Sequence, residues 1–198
     1  MMKMISFIQR FDSFSLLYIK DNMHGIIMDK VMVILTNLGN GGLIWIIIIA
    51  LLMINKKYRK IGFMALGALI LSAILGEEII KNVVKRIRPS SNIPAFNLLI
   101  KKPLSYSFPS GHTSSSFAVA GILSYYFKNY AAEFFGLATL IGFSRVYLYV
   151  HYPTDVLAGT VLGLTCSGII IYLFDKVSYN RSASIKQNIH CVNQEEYM

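Results

Sequence analysis

Charge is scarce in this sequence. Only 15% of its 198 residues are Asp, Glu, Lys or Arg, whereas a soluble domain carries about 25%. With 55% hydrophobic residues, the shortage of charge excludes an ordinary soluble domain and points to a one-domain, multi-pass membrane protein. Acidic residues are scarcer than basic ones, 10 against 19, giving a net charge of +9. The basic residues lie between apolar runs, which favours lipid headgroups, loop anchors or an anionic substrate over nucleic acid. There are two cysteines, Cys166 in an apolar run and Cys191 in a polar tail. A disulfide framework is excluded, and no Cys/His cluster has zinc-ligand spacing. The N-terminal apolar residues are interrupted by Arg10, Asp12 and Lys20, so no signal-peptide core is present. No internal repeat occurs.

The apolar runs predict an all-α, polytopic transmembrane helical bundle. Five spans are expected, at residues 31–54, 61–80, 113–127, 131–150 and 156–174. Residues 4–20 form either an interfacial amphipathic helix or an ordinary packed N-terminal helix. The Gly39-Asn40-Gly41-Gly42 stretch reads as a break between an interfacial helix and the first span. Residues 1–175 form one integral-membrane domain, and residues 176–198 a polar, loosely ordered tail. Alternating spans bring the end of the second, the start of the third, the end of the fourth and the start of the fifth to one membrane face. The Asn55-Lys56-Lys57-Tyr58-Arg59-Lys60 loop on the opposite face is a cytoplasmic signal. It predicts a multi-pass membrane protein with the polar cluster facing outward.

Phe108-Pro109-Ser110-Gly111-His112 is a small-residue turn before the third span. Backbone N–H groups at a helix N-terminus make an anion site, and His112 titrates near neutrality. Lys81 and Arg88, seven apart, can share one helical face, and Arg145 supplies a third cation for a tetrahedral anion. His151 and Asp155 are spaced i, i+4, so the carboxylate can hold the imidazole in one tautomer. That leaves the other nitrogen free to attack phosphorus, with His112 as the acid for the leaving oxygen. Glu77 lies four residues before Lys81 and can pair with it, with Glu78 as a competitor. Lys85 and Arg86 read as headgroup contacts or snorkelling residues. Tyr147, Tyr149 and Tyr152 read as interfacial aromatics, Cys166 as packing, and His24 and His190 as structural.

In order, Lys81-x6-Arg88-Pro89, Pro109-Ser110-Gly111-His112 and Ser144-Arg145-x5-His151-x3-Asp155 resemble the three-part signature of the type 2 phosphatidic acid phosphatase family. That superfamily includes vanadium haloperoxidases and bacterial acid phosphatases. The motifs cover residues 81–155, and the membrane pattern extends the likeness to about 26–175. The resemblance implies an all-helical membrane phosphatase with, typically, six spans, so that either residues 4–20 contribute a sixth or the N-terminus is shortened. It also implies a bacterial plasma membrane. It implies His151 as nucleophile, Asp155 as its orienting partner and His112 as general acid. Lys81, Arg88, Ser110, Gly111, Ser144 and Arg145 would bind phosphate, with Glu77 and Pro109 in support. No metal and no cofactor is implied, and the partners are a lipid phosphate and the bilayer. The compact loops resemble undecaprenyl diphosphate phosphatases, with phosphatidylglycerophosphate and phosphatidic acid as alternative substrates. A non-catalytic lipid-phosphate binder or transporter, and a vanadate-dependent peroxidase, are readings of other classes.

Overall fold

The structure, a computed structural model, describes the backbone of residues 2–92 and 98–195 and the side chains of residues 6–91 and 98–177. Six helical columns make up the described fold. Helix α1 (Met2–Asn22) comes first. The second column is α2 (Ile26–Gly39), a short 3-10 turn (Asn40–Gly42) and α3 (Leu43–Ile54). The third is α4 (Arg59–Ala73), a π-helical segment (Ile74–Ile80) and the one-turn α5 (Lys81–Val84). Then follow α6 (Gly111–Tyr126), α7 (Ala131–Tyr147) and α8 (Pro153–Glu195). The backbone of α8 thus continues as helix into the polar tail. Pro94 and Phe96, and the side chains of His190 and Cys191, lie outside the described residues.

Three columns are long and apolar enough to cross a membrane: Ile26–Ile54, Arg59–Val84 and Pro153–Val177. In the most apolar stretch of the last, at mean hydropathy 2.0, only 22% of residues are buried. Its apolar side chains therefore face outward, as Val161 and Tyr172 do, which is the pattern of a lipid-facing helix. Helices α6 and α7, at 16 and 17 residues, are shorter than a typical span of about 20.

Helix α6 is the central column, packed on α4, α7 and α8. Its Ala118, Val119, Ala120, Ile122 and Leu123 are buried with Trp45, Met64 and Ile141. The Trp45 indole N–H donates to Ser116 Oγ at 2.8 Å, tying α3 to α6. Cys166 is fully buried in this core, in the packing role its neighbours suggest. The closest crossing is α6 on α8. A Cβ on Gly163 would lie 2.5 Å from the Ser114 carbonyl oxygen and 2.8 Å from the Ala118 nitrogen. These are backbone atoms of α6, so the helices must separate to admit it. Gly163→Ala is expected to destabilise the protein by about 2 kcal/mol, read as a lower thermal midpoint in detergent, while Gly136→Ala, with open space around it, leaves the midpoint unchanged.

Helix α2 joins α3 in one column long enough to cross a membrane, and it buries Met32, Thr36 and Gly39 and packs on α7. The break after it is real, because Gly41 (φ 59) and Gly42 (φ 72) adopt left-handed backbone, which glycine reaches without strain. Helix α1 is a packed helix, with Leu16 and Ile19 buried against Val146 and Val150. Its Asp12 is only 1% exposed.

Candidate active site

The four helix ends predicted to share a face do meet. A cavity of about 390 Å³ is lined by Lys81, Arg88, His112, Arg145 and His151, together with Glu77, Gly111, Ser114 and Ser115. Three permanent cations face one carboxylate, so the site favours an anion. Lys81, Arg88 and Arg145 are 5%, 6% and 4% exposed. Desolvated cations bind an oxyanion far more strongly than exposed ones do.

Each part is set by local backbone. Lys81 and Arg88 do not share a helical face, because α5 stops at Val84 and Lys85 turns left-handed (φ 50). That turn folds the chain back, so Arg88 reaches the cavity from a loop. There its Nε donates to the Ser105 carbonyl at 2.6 Å and its Nη1 to the Val150 carbonyl at 2.7 Å. Lys81 Nζ donates to both oxygens of Glu77 at 2.6 Å, the i, i+4 pair expected from the spacing. Glu77 sits in the π-helical segment, a local widening common at functional sites. A Cβ on Gly111 would lie 1.9 Å from Glu77 Oε1, so glycine there admits the carboxylate.

Helix α6 starts at Gly111, with Ser110 as the residue before it. The Ser110 N–H donates to the Asp155 carbonyl at 3.1 Å. The next N–H groups precede the first intrahelical bond, Ser114 N–H to the Ser110 carbonyl at 2.9 Å, and make the anion-binding end. The hydroxyls of Ser110 and Ser144 face protein. Ser110 Oγ accepts from Thr113 at 2.9 Å, and Ser144 Oγ donates to the Ile141 carbonyl at 2.6 Å. Neither serine lines the cavity, and Pro109 lies behind it, near Gly76.

His151 lies in the loop between α7 and α8, outside the spanning helices, and is 1% exposed. Its Nε2 is 2.9 Å from Arg88 Nη1. A guanidinium only donates, so Nε2 carries the lone pair and the proton sits on Nδ1. Nδ1 faces Asp155 Oδ2 at 3.5 Å, with no shorter partner among the described residues. This is ion-pair distance, looser than an ordinary hydrogen bond. Burial, reinforced by Arg88 and Arg145 and opposed by Asp155, lowers the His151 pKa to about 3. The imidazole is therefore neutral at working pH. In the unfolded chain it takes a proton near 6.5, so this share of stability is full above 6.5 and is lost as pH falls toward 3. The thermal midpoint is expected to drop between pH 7 and pH 4 more steeply in the wild type than in His151→Gln.

His112 is half-buried, and its Nε2–H donates to Asn40 Oδ1 at 2.9 Å. A Cβ on Gly39 would lie 2.8 Å from the His112 ring, so the glycine-rich break in the first span brings Asn40 to His112. Arg145 Nη1 hydrogen-bonds Thr36 Oγ1, and its buried Nε has no partner among the described residues. Asn40 and Thr36 were not foreseen, although the Gly-Asn-Gly-Gly break was the available signal.

The sequence also undervalued Arg86. Its Nη1 donates to Asp155 Oδ1 at 2.6 Å and its Nη2 to Asp12 Oδ2 at 2.5 Å. Burial opposes the charge, yet Asp12 and Asp155 outweigh it and raise the pKa above its ordinary value. Arg86 is a half-buried strut between two buried carboxylates. The tyrosines also bond within the protein, Tyr147 buried and Tyr149 and Tyr152 half-buried. Tyr147 is fully buried with its hydroxyl on Asp29 at 2.5 Å, Tyr149 bonds the Leu16 carbonyl, and the Tyr152 ring lies 4.0 Å from the Arg86 guanidinium carbon. They fasten α1 and α2 to the His151 loop. His24 completes that contact with Asp29 at 3.0 Å.

Residues 62–179 match the model of the PAP2 superfamily, and the chain belongs to that family. It is 39% identical over 124 residues to an undecaprenyl-diphosphatase of Sulfolobus acidocaldarius, covering 61% of this chain and 58% of that one. Among solved structures, LpxE of Aquifex aeolicus aligns with TM-score 0.68 at 30% identity, over 80% of this chain and 94% of that one. A PAP2-type phosphatidylglycerolphosphate phosphatase from Bacillus subtilis aligns with TM-score 0.68 at 28% identity, over 88% of both chains. The chain spans roughly three fifths of the length of the curated relatives it matches first. Fold, apolar helices and relatives together make it a multi-pass membrane protein.

Proposed function

We propose that this protein is an integral-membrane lipid phosphatase that removes a terminal phosphate through a phosphohistidine on His151. The observation that carries the reading is His151 Nε2, a lone pair held 2.9 Å from Arg88 at the wall of a cavity that also presents Lys81 and Arg145. A phosphate drawn to those cations competes for the same Arg88 N–H and sits against the nucleophilic nitrogen. The Nε2 lone pair forms the N–P bond while the P–O bond to the leaving group breaks. The leaving oxygen takes a proton from His112, and Asp155 stabilises the positive imidazole. Water then attacks phosphorus and gives a proton to His112 while the N–P bond breaks and returns its electron pair to Nε2, releasing inorganic phosphate. Lys81, Arg88, Arg145 and the α6 N-terminus stabilise the equatorial oxygens in both steps. Ser110 and Ser144 support the site through the backbone turns they hold.

The substrate best supported is undecaprenyl diphosphate, from the identity to the Sulfolobus enzyme. Phosphatidylglycerophosphate and phosphatidic acid are the competitors. The site faces outward from a bacterial plasma membrane, because the Lys56–Lys60 loop lies at the opposite end of α4 from Lys81. The test is phosphate release by purified protein from the three lipids in parallel. The diphosphate should show the highest kcat/KM, undiminished by EDTA. Loss with EDTA that a divalent metal restores would overturn the metal-free mechanism. Lipid movement across liposomes without phosphate release would favour a binder or transporter.

A further inference from the structure

Helix α8 carries Asp155 in its first turn, and that turn has an unusual cap. Asp155 Oδ2 accepts the Tyr152 N–H at 2.9 Å. This is the half of a capping box in which the third helical residue reaches back to the residue before the helix. The other half needs an acceptor on the residue before the helix, and Tyr152 has none in reach. Asp12 supplies it from α1: Oδ1 accepts the Thr154 N–H at 3.1 Å, and Oδ2 accepts the Thr154 hydroxyl at 2.7 Å. Asp12 Oδ2 also takes Arg86 Nη2 at 2.5 Å, while Arg86 Nη1 spans Thr154 Oγ1 at 2.8 Å and Asp155 Oδ1 at 2.6 Å. Asp12 and Asp155 are 1% and 0% exposed.

We propose that Asp12 is a positioning residue for the His151–Asp155 pair, acting through Arg86 and the first turn of α8. Two buried carboxylates share one guanidinium. With Asp12 in place, Arg86 is half-neutralised, and Asp155 keeps charge to direct at His151 Nδ1. Without the Asp12 charge, Arg86 bears on Asp155 alone and draws it away from the imidazole. The N-terminal helix thus completes the catalytic pair from 143 positions before Asp155 in the chain.

The inference rests on the roles given to His151 and Asp155. Its test uses full-length protein in detergent with undecaprenyl diphosphate, and a second readout that needs no turnover. Asp12→Asn is nearly isosteric and keeps an acceptor for the Thr154 N–H, so it removes the charge and spares the cap. It is expected to lower kcat about tenfold with KM within twofold. Arg86→Gln should lower kcat at least as much, and the double variant no further than Arg86→Gln alone. Leu16→Ala, which loosens α1 without touching the ion chain, should lower the thermal midpoint and spare kcat. In spectra of ¹⁵N-histidine-labelled protein, the His151 Nδ1–H signal should move in Asp12→Asn and Arg86→Gln and stay in Leu16→Ala. Asp12→Asn behaving like Leu16→Ala, multiplying losses in the double variant, or an unmoved His151 signal would each overturn the proposal. Should Asp12→Asn not fold, Arg86→Gln against Leu16→Ala decides by the same signal. A wild type that hydrolyses no lipid phosphate refutes the phosphatase reading, while the His151 signal still decides the coupling.

Discussion

His151→Ala is expected to cut phosphate release from a lipid phosphate by at least about a thousandfold, because the variant has no atom to form the N–P bond. Binding should survive, since Lys81, Arg88 and Arg145 remain. Folding should survive too. Arg88 Nη1 keeps the Val150 carbonyl at 2.7 Å and Nε keeps the Ser105 carbonyl at 2.6 Å, so the loop around the gap stays tied. The variant also removes a buried ring nitrogen that has no close partner. The check is released phosphate per mole of protein beside a thermal melt. Activity within tenfold of the wild type would refute the nucleophile assignment.

The second large effect is at Arg145. This guanidinium is 4% exposed, anchored by one Nη1 bond to Thr36 on α2, and lines the cavity. One planar group thus fixes its own position and bounds the anion site. Lysine keeps the charge but cannot do both, because a single ammonium has no rigid fork. Arg145→Lys is therefore expected to lower kcat/KM by about a hundredfold, mostly in kcat, because the missing contact is strongest on the transition-state oxygens. An effect confined to KM would mean that Arg145 only gathers substrate.

The site was legible in the sequence wherever chemistry and spacing were local. Pro109-Ser110-Gly111-His112, Ser144-Arg145 and His151-x3-Asp155 could be read as anion nest, cation and oriented imidazole, and the spans implied that they meet. Lys81 and Arg88 do line one cavity, but not by the helical repeat, which ignores the left-handed turn at Lys85. What stayed hidden depends on contacts between distant segments. Asp12 to Arg86, Thr36 to Arg145 and Asn40 to His112 are 74, 109 and 72 residues apart. A carboxylate on an amphipathic helix carries no local sign that it will be buried. The partners of the tyrosines were hidden for the same reason: aromatic residues near a span end suit an interface, and only the packing of α1 and α2 brings Leu16 and Asp29 to them. Which glycine approaches which neighbour, as in Gly163 against Ser114 and Gly39 against His112, is likewise settled by the assembled bundle.

The central claim is that phosphate passes through Nε2 of His151. It is tested most directly by mixing the protein with undecaprenyl diphosphate labelled in the terminal phosphate, quenching in alkali within one turnover, and locating the label by mass spectrometry. The account predicts a phosphoryl group on His151 that appears before free phosphate and is absent in His151→Ala. Phosphate released at full rate with His151 unmodified, or the label on another residue, would contradict it.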